Sequence, residues 1–211
     1  MAMINRNSEV TTNPLSKDRP VSVSVPPFAS LFSVSTASLL AERSMSNANI
    51  IGDDVKITDE MKIFFDKRTQ EHIDRVVNNM LLMEGYKNLD IKTLQERGKI
   101  HDLSKLSEPE LEGYIWLTWW HACKTKKIAF DYPKGKNELV DKAISHHLKN
   151  NLHHAESHSD VNKMTDLDVV EMVCDWTAMS QEFNQASCQS YVKNNIAKWK
   201  FSDEKIEEIF A

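Results

Sequence analysis

The residues that could do chemistry are imidazoles and carboxylates. His101 and Asp102 adjoin in Lys99-Ile-His-Asp-Leu-Ser-Lys105. His72 lies upstream. His146, His147, His153, His154 and His158 crowd one short downstream stretch, and Asp175 follows. Neutral imidazole and carboxylate are the side chains that suit divalent transition metals. Placed on the inward faces of four separate helices, these groups can close a metal site at the core of the chain.

Each of these residues has a plainer role open to it. His72 is in phase with Phe65, Val76 and Met80, where a single histidine is more often a satisfied core residue. It gains weight because ligand types recur in phase on other segments. His101 and Asp102, read on a helix, diverge by about 100° and converge on one centre only if the helix passes it tangentially. The two oxygens of Asp102 could bridge two metals. Lys105, one turn on, projects to the same side, and its ammonium could hold a phosphate oxygen; otherwise it is an exposed solubilising group. Val140, Ala143 and Ile144 define a stripe that His147 continues, so His147 is preferred and His146 held in reserve. Periodicity does not choose among His153, His154 and His158, for which a surface histidine tract is the plain reading. Asp175 is in phase with Met172 and Met179, and a carboxylate there is costly to bury unpaired. Glu171, one turn earlier, could orient a ligand histidine or be an ordinary exposed acid. Trp116, Trp119 and Trp120 have the spacing of core residues rather than of a stacking surface, with His121 as a polar end to that run.

The elements that must position these groups are helical. Thr58 or Asp59 caps a helix to about Met83, ended by Gly85. A second is expected over about Ile91–Lys105. A third starts near Ser107 with Pro109 in its first turn and runs to about Lys126. A fourth covers about Asn137–Lys149. Thr165-Asp-Leu-Asp caps a fifth to about Phe183. Two shorter ones, about Gln189–Trp199 and Asp203–Ile209, close the chain. With no convincing strand pattern, few glycines and no internal repeat, the expectation is an all-α single domain over residues 56–211. Residues 1–55, rich in Ser, Thr, Asn and Pro, are expected to be a disordered or weakly structured tail. A transit-like leader, or translation from Met45, are the competing readings of that segment.

Composition excludes other classes. The 211 residues carry a net charge of −5 and no basic stripe, which argues against nucleic acid as the main partner. Three cysteines, Cys123, Cys174 and Cys188, include no Cys-x-x-Cys pair; they read as reduced thiols of a cytoplasmic protein. No run approaches the roughly 18 apolar residues of a membrane span. The oligomeric state is left open.

The order His…His-Asp…His…His…Asp resembles the HD-domain superfamily of metal-dependent phosphohydrolases. The resemblance implies an HD-like helical bundle in which His72, His101, Asp102 and Asp175 bind a divalent metal. Members with extra histidines hold two ions, which would add His147 and His154. Lys105 matches the lysine of the His-Asp-x-x-Lys motif in some phosphodiesterase members. His-Asp-Leu-Ser-Lys-Leu-Ser, the histidine tract with its Glu156, and Asp175-Trp-Thr-Ala-Met179 also look like a narrower, uncharacterised HD-like family of bacteria and viruses. The resemblance covers about Asp59 to Phe210. The Gly-Tyr-Pro element of cyclic-dinucleotide phosphodiesterases is absent, and nothing marks a nucleobase site.

The expected activity is hydrolysis of a small phosphate ester, with nucleotides among the candidates, by metal-activated water, with one or two ions of Mn, Fe, Co, Mg or Zn. Asp102 and Lys105 would be catalytic, and Lys105 would bind substrate. The rivals are an HD-fold di-iron oxygenase using the same ligands, a catalytically inactive nucleotide-binding module, and no site at all.

Overall fold

A computed structural model of the protein describes residues 55–185 and 187–210. Apart from Val55, the N-terminal tail and its competing readings lie outside the described residues. Among the described residues the fold is all-α, with seven helices and no strand. They are α1 (Asp59–Leu81), α2 (Ile91–Ile100), α3 (Leu111–Thr125), α4 (Lys136–Asn150), α5 (Asp166–Glu182), α6 (Gln189–Asn195) and α7 (Asp203–Phe210). No helix among them is long and apolar enough to cross a membrane.

Side-chain caps start the helices where the sequence places them. Thr58 accepts from the Met61 N–H and is followed by Asp59 and Glu60, which complement the positive end of the helix. Asp90 caps α2 through the Thr93 N–H at 2.8 Å. Thr165 and Asp168 form a reciprocal capping box on α5. After α1 the chain reverses at Gly85, whose φ of 83° is costly for other residues.

Helix α1 is the hub, packing against α2, α3 and α5, while α3 packs on α4. Its buried stripe changes partners along its length. Met61 and Phe65 pack with Trp116, Trp119, Phe130 and Val140. Val76 and Met80 pack with Leu94, Val170, Cys174 and Ala178. His72 falls between the two groups. Near the other end of the changeover, α1 and α5 are clamped by Glu182, which accepts from Arg68 Nε (2.7 Å) and Arg75 Nη2 (3.1 Å). The tryptophan run is core, with Trp116 and Trp119 buried and Trp120 half-buried against them.

Three expected boundaries move. Helix α2 stops at Ile100, so His101 and Asp102 are not on a helix. His101 turns extended (φ −53°, ψ 130°), Asp102 is left-handed (φ 59°, ψ 7°), and Leu103–Leu106 form a 3-10 turn. Asp is among the residues that tolerate this backbone. Helix α3 starts at Leu111 rather than near Ser107, because Pro109 disfavours a helical Glu108. The penultimate helix ends at Asn195 and gives way to a 3-10 turn over Ile196–Trp199.

Gly113 permits the close approach of α3 to α4. A Cβ added there would collide with the Ala143 Cβ and stand 3.0 Å from the Leu139 carbonyl oxygen. Helix propensity alone would make Gly113→Ala stabilising by about 1 kcal/mol. The collision is expected to reverse the sign and give a net loss of about 1–3 kcal/mol in urea denaturation. A gain in stability would contradict the close approach.

Candidate metal centre

Asp102 sits at the break after α2 with only 1% of its surface exposed. Leaving the helix there turns its carboxylate inward, where each oxygen meets a different set of imidazoles. Oδ2 faces His72 Nε2 at 3.4 Å, His101 Nε2 at 3.5 Å and the Lys105 ammonium at 2.5 Å. Oδ1 faces His147 Nε2 at 3.1 Å and His153 Nε2 at 3.6 Å.

Asp175, from α5, completes the first set: its Oδ1 lies 3.0 Å from His72 Nε2 and 3.9 Å from His101 Nε2. His154 completes the second, where ligand nitrogens of His147, His153 and His154 lie within 4.8 Å of one another. The result is a two-part cage. His72, His101, Asp102 and Asp175 form one half; Asp102, His147, His153 and His154 form the other. Its deep members are closed, but Lys105 and Asp175 keep 18% and 14% side-chain exposure and mark the side open to solvent.

Carboxylates hold the backs of the rings. Glu171 Oε1 meets His101 Nδ1 at 2.8 Å and His153 Nδ1 at 3.3 Å. Its Oε2 accepts from Arg97 Nε, and Arg97 Nη2 donates to Asp168 at 2.8 Å. Glu110, also buried, gives Oε2 to His147 Nδ1 at 2.9 Å and Oε1 to His146 Nδ1 at 2.7 Å. Ser104 donates to the same Glu110 Oε2 at 2.9 Å. A ring that donates Nδ1–H to a carboxylate presents the lone pair of Nε2 on its far side. Here that side is the cage.

The electrostatics suit ligands. Burial pushes the Asp102 carboxyl up, but the charge of Lys105 and the imidazoles of His101, His147 and His72 hold it well below the usual carboxylate range. Burial likewise opposes ionisation of Asp175, and contacts with His72, His101 and His153 overcome it. His154 is pushed down to about 2 by burial first and then by its histidine neighbours, so its ring is neutral, the form that ligates metal. His72 moves the other way: burial lowers it, but Asp102 and Asp175 raise it further.

Several atoms of the cage lack partners. His101 Nε2 and His72 Nε2 face each other at 3.3 Å although His101 has its Nδ1 against Glu171. His72 Nδ1, Asp102 Oδ1, His153 Nε2 and His154 Nε2 are buried without a hydrogen-bond partner. A buried unsatisfied polar atom costs about 1–3 kcal/mol. Three of these four belong to the second half of the cage. A cation among those three would satisfy the carboxylate oxygen and the imidazole lone pairs together, and the donor types fit a divalent transition metal. The buried His and Asp groups could therefore hold a metal ion.

Every residue singled out for the site, His72, His101, Asp102, Lys105, His147, His154 and Asp175, comes to this one place. His146 is half-buried against Glu110, outside the cage. His158 turns away and bonds the Leu152 carbonyl oxygen at 2.8 Å, and His121 is exposed on α3. Periodicity leaves His153 open beside His154 and His158, because a loop carries no period to distinguish them; the structure brings His153, more buried than His154, into the cage as well. Sequence reasoning passed over Glu110 and Arg97. The only available signal was an acid just after Pro109, at the start of a helix.

The model of one protein family, described as "Family of unknown function (DUF5662)", matches residues 61–210. No curated protein and no solved structure matches the chain. The matched region includes every residue of the cage and both carboxylates behind it.

A divalent ion at a free concentration about 100 times its Kd is expected to stabilise the metal-stripped chain by about 2.7 kcal/mol. For a domain of this size that is a rise of about 5–10 °C in unfolding midpoint, read by differential scanning calorimetry. Asn tolerates the left-handed backbone as Asp does, so Asp102→Asn should fold and lose most of the rise. An undiminished rise in that variant would place the ion elsewhere.

Proposed function

We propose that this chain, which belongs to the DUF5662 family of unknown function, is a metal-dependent phosphohydrolase of HD-like design acting on a small phosphate ester. The observation that carries the reading is the position of Asp102: each carboxylate oxygen faces its own pair of imidazole nitrogens, with a lysine ammonium beside one of them.

His72, His101, Asp102 and Asp175 would hold one ion, and Asp102, His147, His153 and His154 a second. Imidazole-rich donors favour Mn, Fe, Co or Zn over Mg, which prefers oxygen. A divalent ion bound here supplies Lewis acidity, lowering the pKa of water and polarising a phosphoryl oxygen.

The chain's own groups do the rest. Asp102 and Asp175 are held toward the ionised form, the form that ligates a cation, by Lys105 and the imidazoles around them. Glu171 and Glu110 keep His101, His153 and His147 turned inward. Lys105, against Asp102 and over the Tyr114 ring at 4.9 Å, offers its ammonium at the open side. It binds an anionic phosphate oxygen there and neutralises charge that grows on it during hydrolysis. The site chemistry thus favours a phosphorylated small molecule over a neutral one.

The test is turnover by metal-stripped chain reloaded separately with Mn, Fe, Co, Zn and Mg. A panel of aryl phosphate mono- and diesters and nucleoside monophosphates is expected to yield hydrolysis that a chelator abolishes. Lys105→Met is expected to lower kcat/KM by about 100-fold while the bound metal, counted by elemental analysis, is unchanged. No turnover with any metal across the panel overturns the reading, and oxygen consumption by the iron-loaded chain would replace it with an oxygenase.

A further inference from the structure

The two halves of the cage share more than Asp102. Glu171 is almost fully buried, and a single oxygen of it, Oε1, meets one ring from each half: His101 Nδ1 at 2.8 Å and His153 Nδ1 at 3.3 Å. On the opposite edges of those rings, His101 Nε2 faces Asp102 Oδ2 and His153 Nε2 faces Asp102 Oδ1. The ring centroids are 4.4 Å apart. One carboxylate oxygen therefore stands behind both halves while another carboxylate stands between them.

Glu171 is itself fixed. Its second oxygen is taken by Arg97 Nε, and the same guanidinium bonds Asp168 at 2.8 Å. Asp168 Oδ2 accepts from the Thr165 N–H (3.1 Å) and hydroxyl (2.7 Å) in the cap of α5. The chain of contacts runs from a helix start, through a planar two-pronged cation, to the shared oxygen. Glu110 offers a contrast of equal burial. Of the cage residues it touches His147 alone, its other oxygen going to His146 outside the cage.

We infer that Glu171, anchored by Arg97, is a positioning residue on which both cation seats depend, whereas Glu110 serves one seat. The inference rests on the two-part cage and not on what the cage hydrolyses. With both rings donating Nδ1–H to Oε1, both Nε2 lone pairs face the cage. A carboxylate behind an imidazole also raises its basicity as a ligand, and losing such a partner lowers metal affinity by about 10- to 100-fold.

The experiment is calorimetric titration of the full, metal-stripped chain with Mn²⁺ alone. The wild-type chain is expected to take up two ions. Glu110→Gln is expected to weaken one binding step by about 10- to 100-fold and leave the other in place. Glu171→Gln is expected to weaken both steps by that factor. The two substitutions remove the same charge from equally buried sites, so general loosening of the fold would move both variants alike. Weakening of a single step in Glu171→Gln, the same pattern in both variants, or one ion in the wild-type chain would overturn the inference. Should Glu171→Gln fail to fold, Arg97→Lys keeps the charge but loses the two-pronged anchor. It is then expected to weaken both steps by about threefold to tenfold, and wild-type affinity at either step overturns the inference. The expected isotherms without any phosphoester turnover would sink the hydrolase reading and leave this one standing.

Discussion

The arrangement depends on a carboxylate buried at a broken helix. Had α2 continued through Asp102, His101 and Asp102 would point about 100° apart, and one of them would leave the interior. The left-handed backbone at Asp102 instead brings both side chains to the same interior point. Burial of an ionised carboxylate without compensation is prohibitively unfavourable. Here Lys105 and the surrounding imidazoles compensate on one oxygen, and the other oxygen has imidazole nitrogens close by but no hydrogen bond. That asymmetry separates a ligand cage from an ordinary buried ion pair. An ion pair satisfies its lone pairs internally; this group leaves some directed at its neighbours.

The outer carboxylates explain why the rings keep their inward orientation. An unanchored imidazole can exchange tautomers or flip to solvent. Glu171 and Glu110 each hold at least one Nδ1, and each is itself tied, Glu171 by Arg97 and Glu110 by Ser104 and His146. The burial of these acids is tolerable because each accepts more than one charge-assisted hydrogen bond. The Glu171 carboxyl is accordingly held down to about 2 despite burial, by its bonds to His101 and His153.

What the sequence could reveal followed the range of each signal. Helices α1, α4 and α5 carry caps and apolar stripes within one segment, and their spans are legible to within a few residues. His72, His147 and Asp175 lie on those stripes, so their burial could be read from phase. The break after Ile100 could not, because Leu103 and Leu106 preserve an apolar rhythm across a backbone turn that only tertiary contacts select. His153 against His154 was equally opaque: adjacent loop residues have no phase, and the carboxylate behind His153, Glu171, is far away in sequence. Arg97 acts on the cage through such a distant contact, and Glu110 meets His147 and His146 from far away in sequence, with only its place after Pro109 to mark it.

The last constraint falls on the loop that carries His153 and His154. A loop ligand is only as precise as its support, and this segment has short 3-10 turns rather than a helix. That support comes from the C-terminal elements. Ala155 and Met164 are buried with Val169, Met172, Trp176, Val192, Phe201 and Ile209 in one apolar cluster, and the Trp199 indole donates to Glu156 at 2.9 Å. Trp199 in turn stacks on Trp176 with ring centroids 5.3 Å apart, one residue past Asp175. Helices α6 and α7 contribute no side chain to the cage, yet they pack the second half's loop onto the helix that supplies the first half's last ligand. Pre-organising ligands in this way lowers the ordering cost of binding.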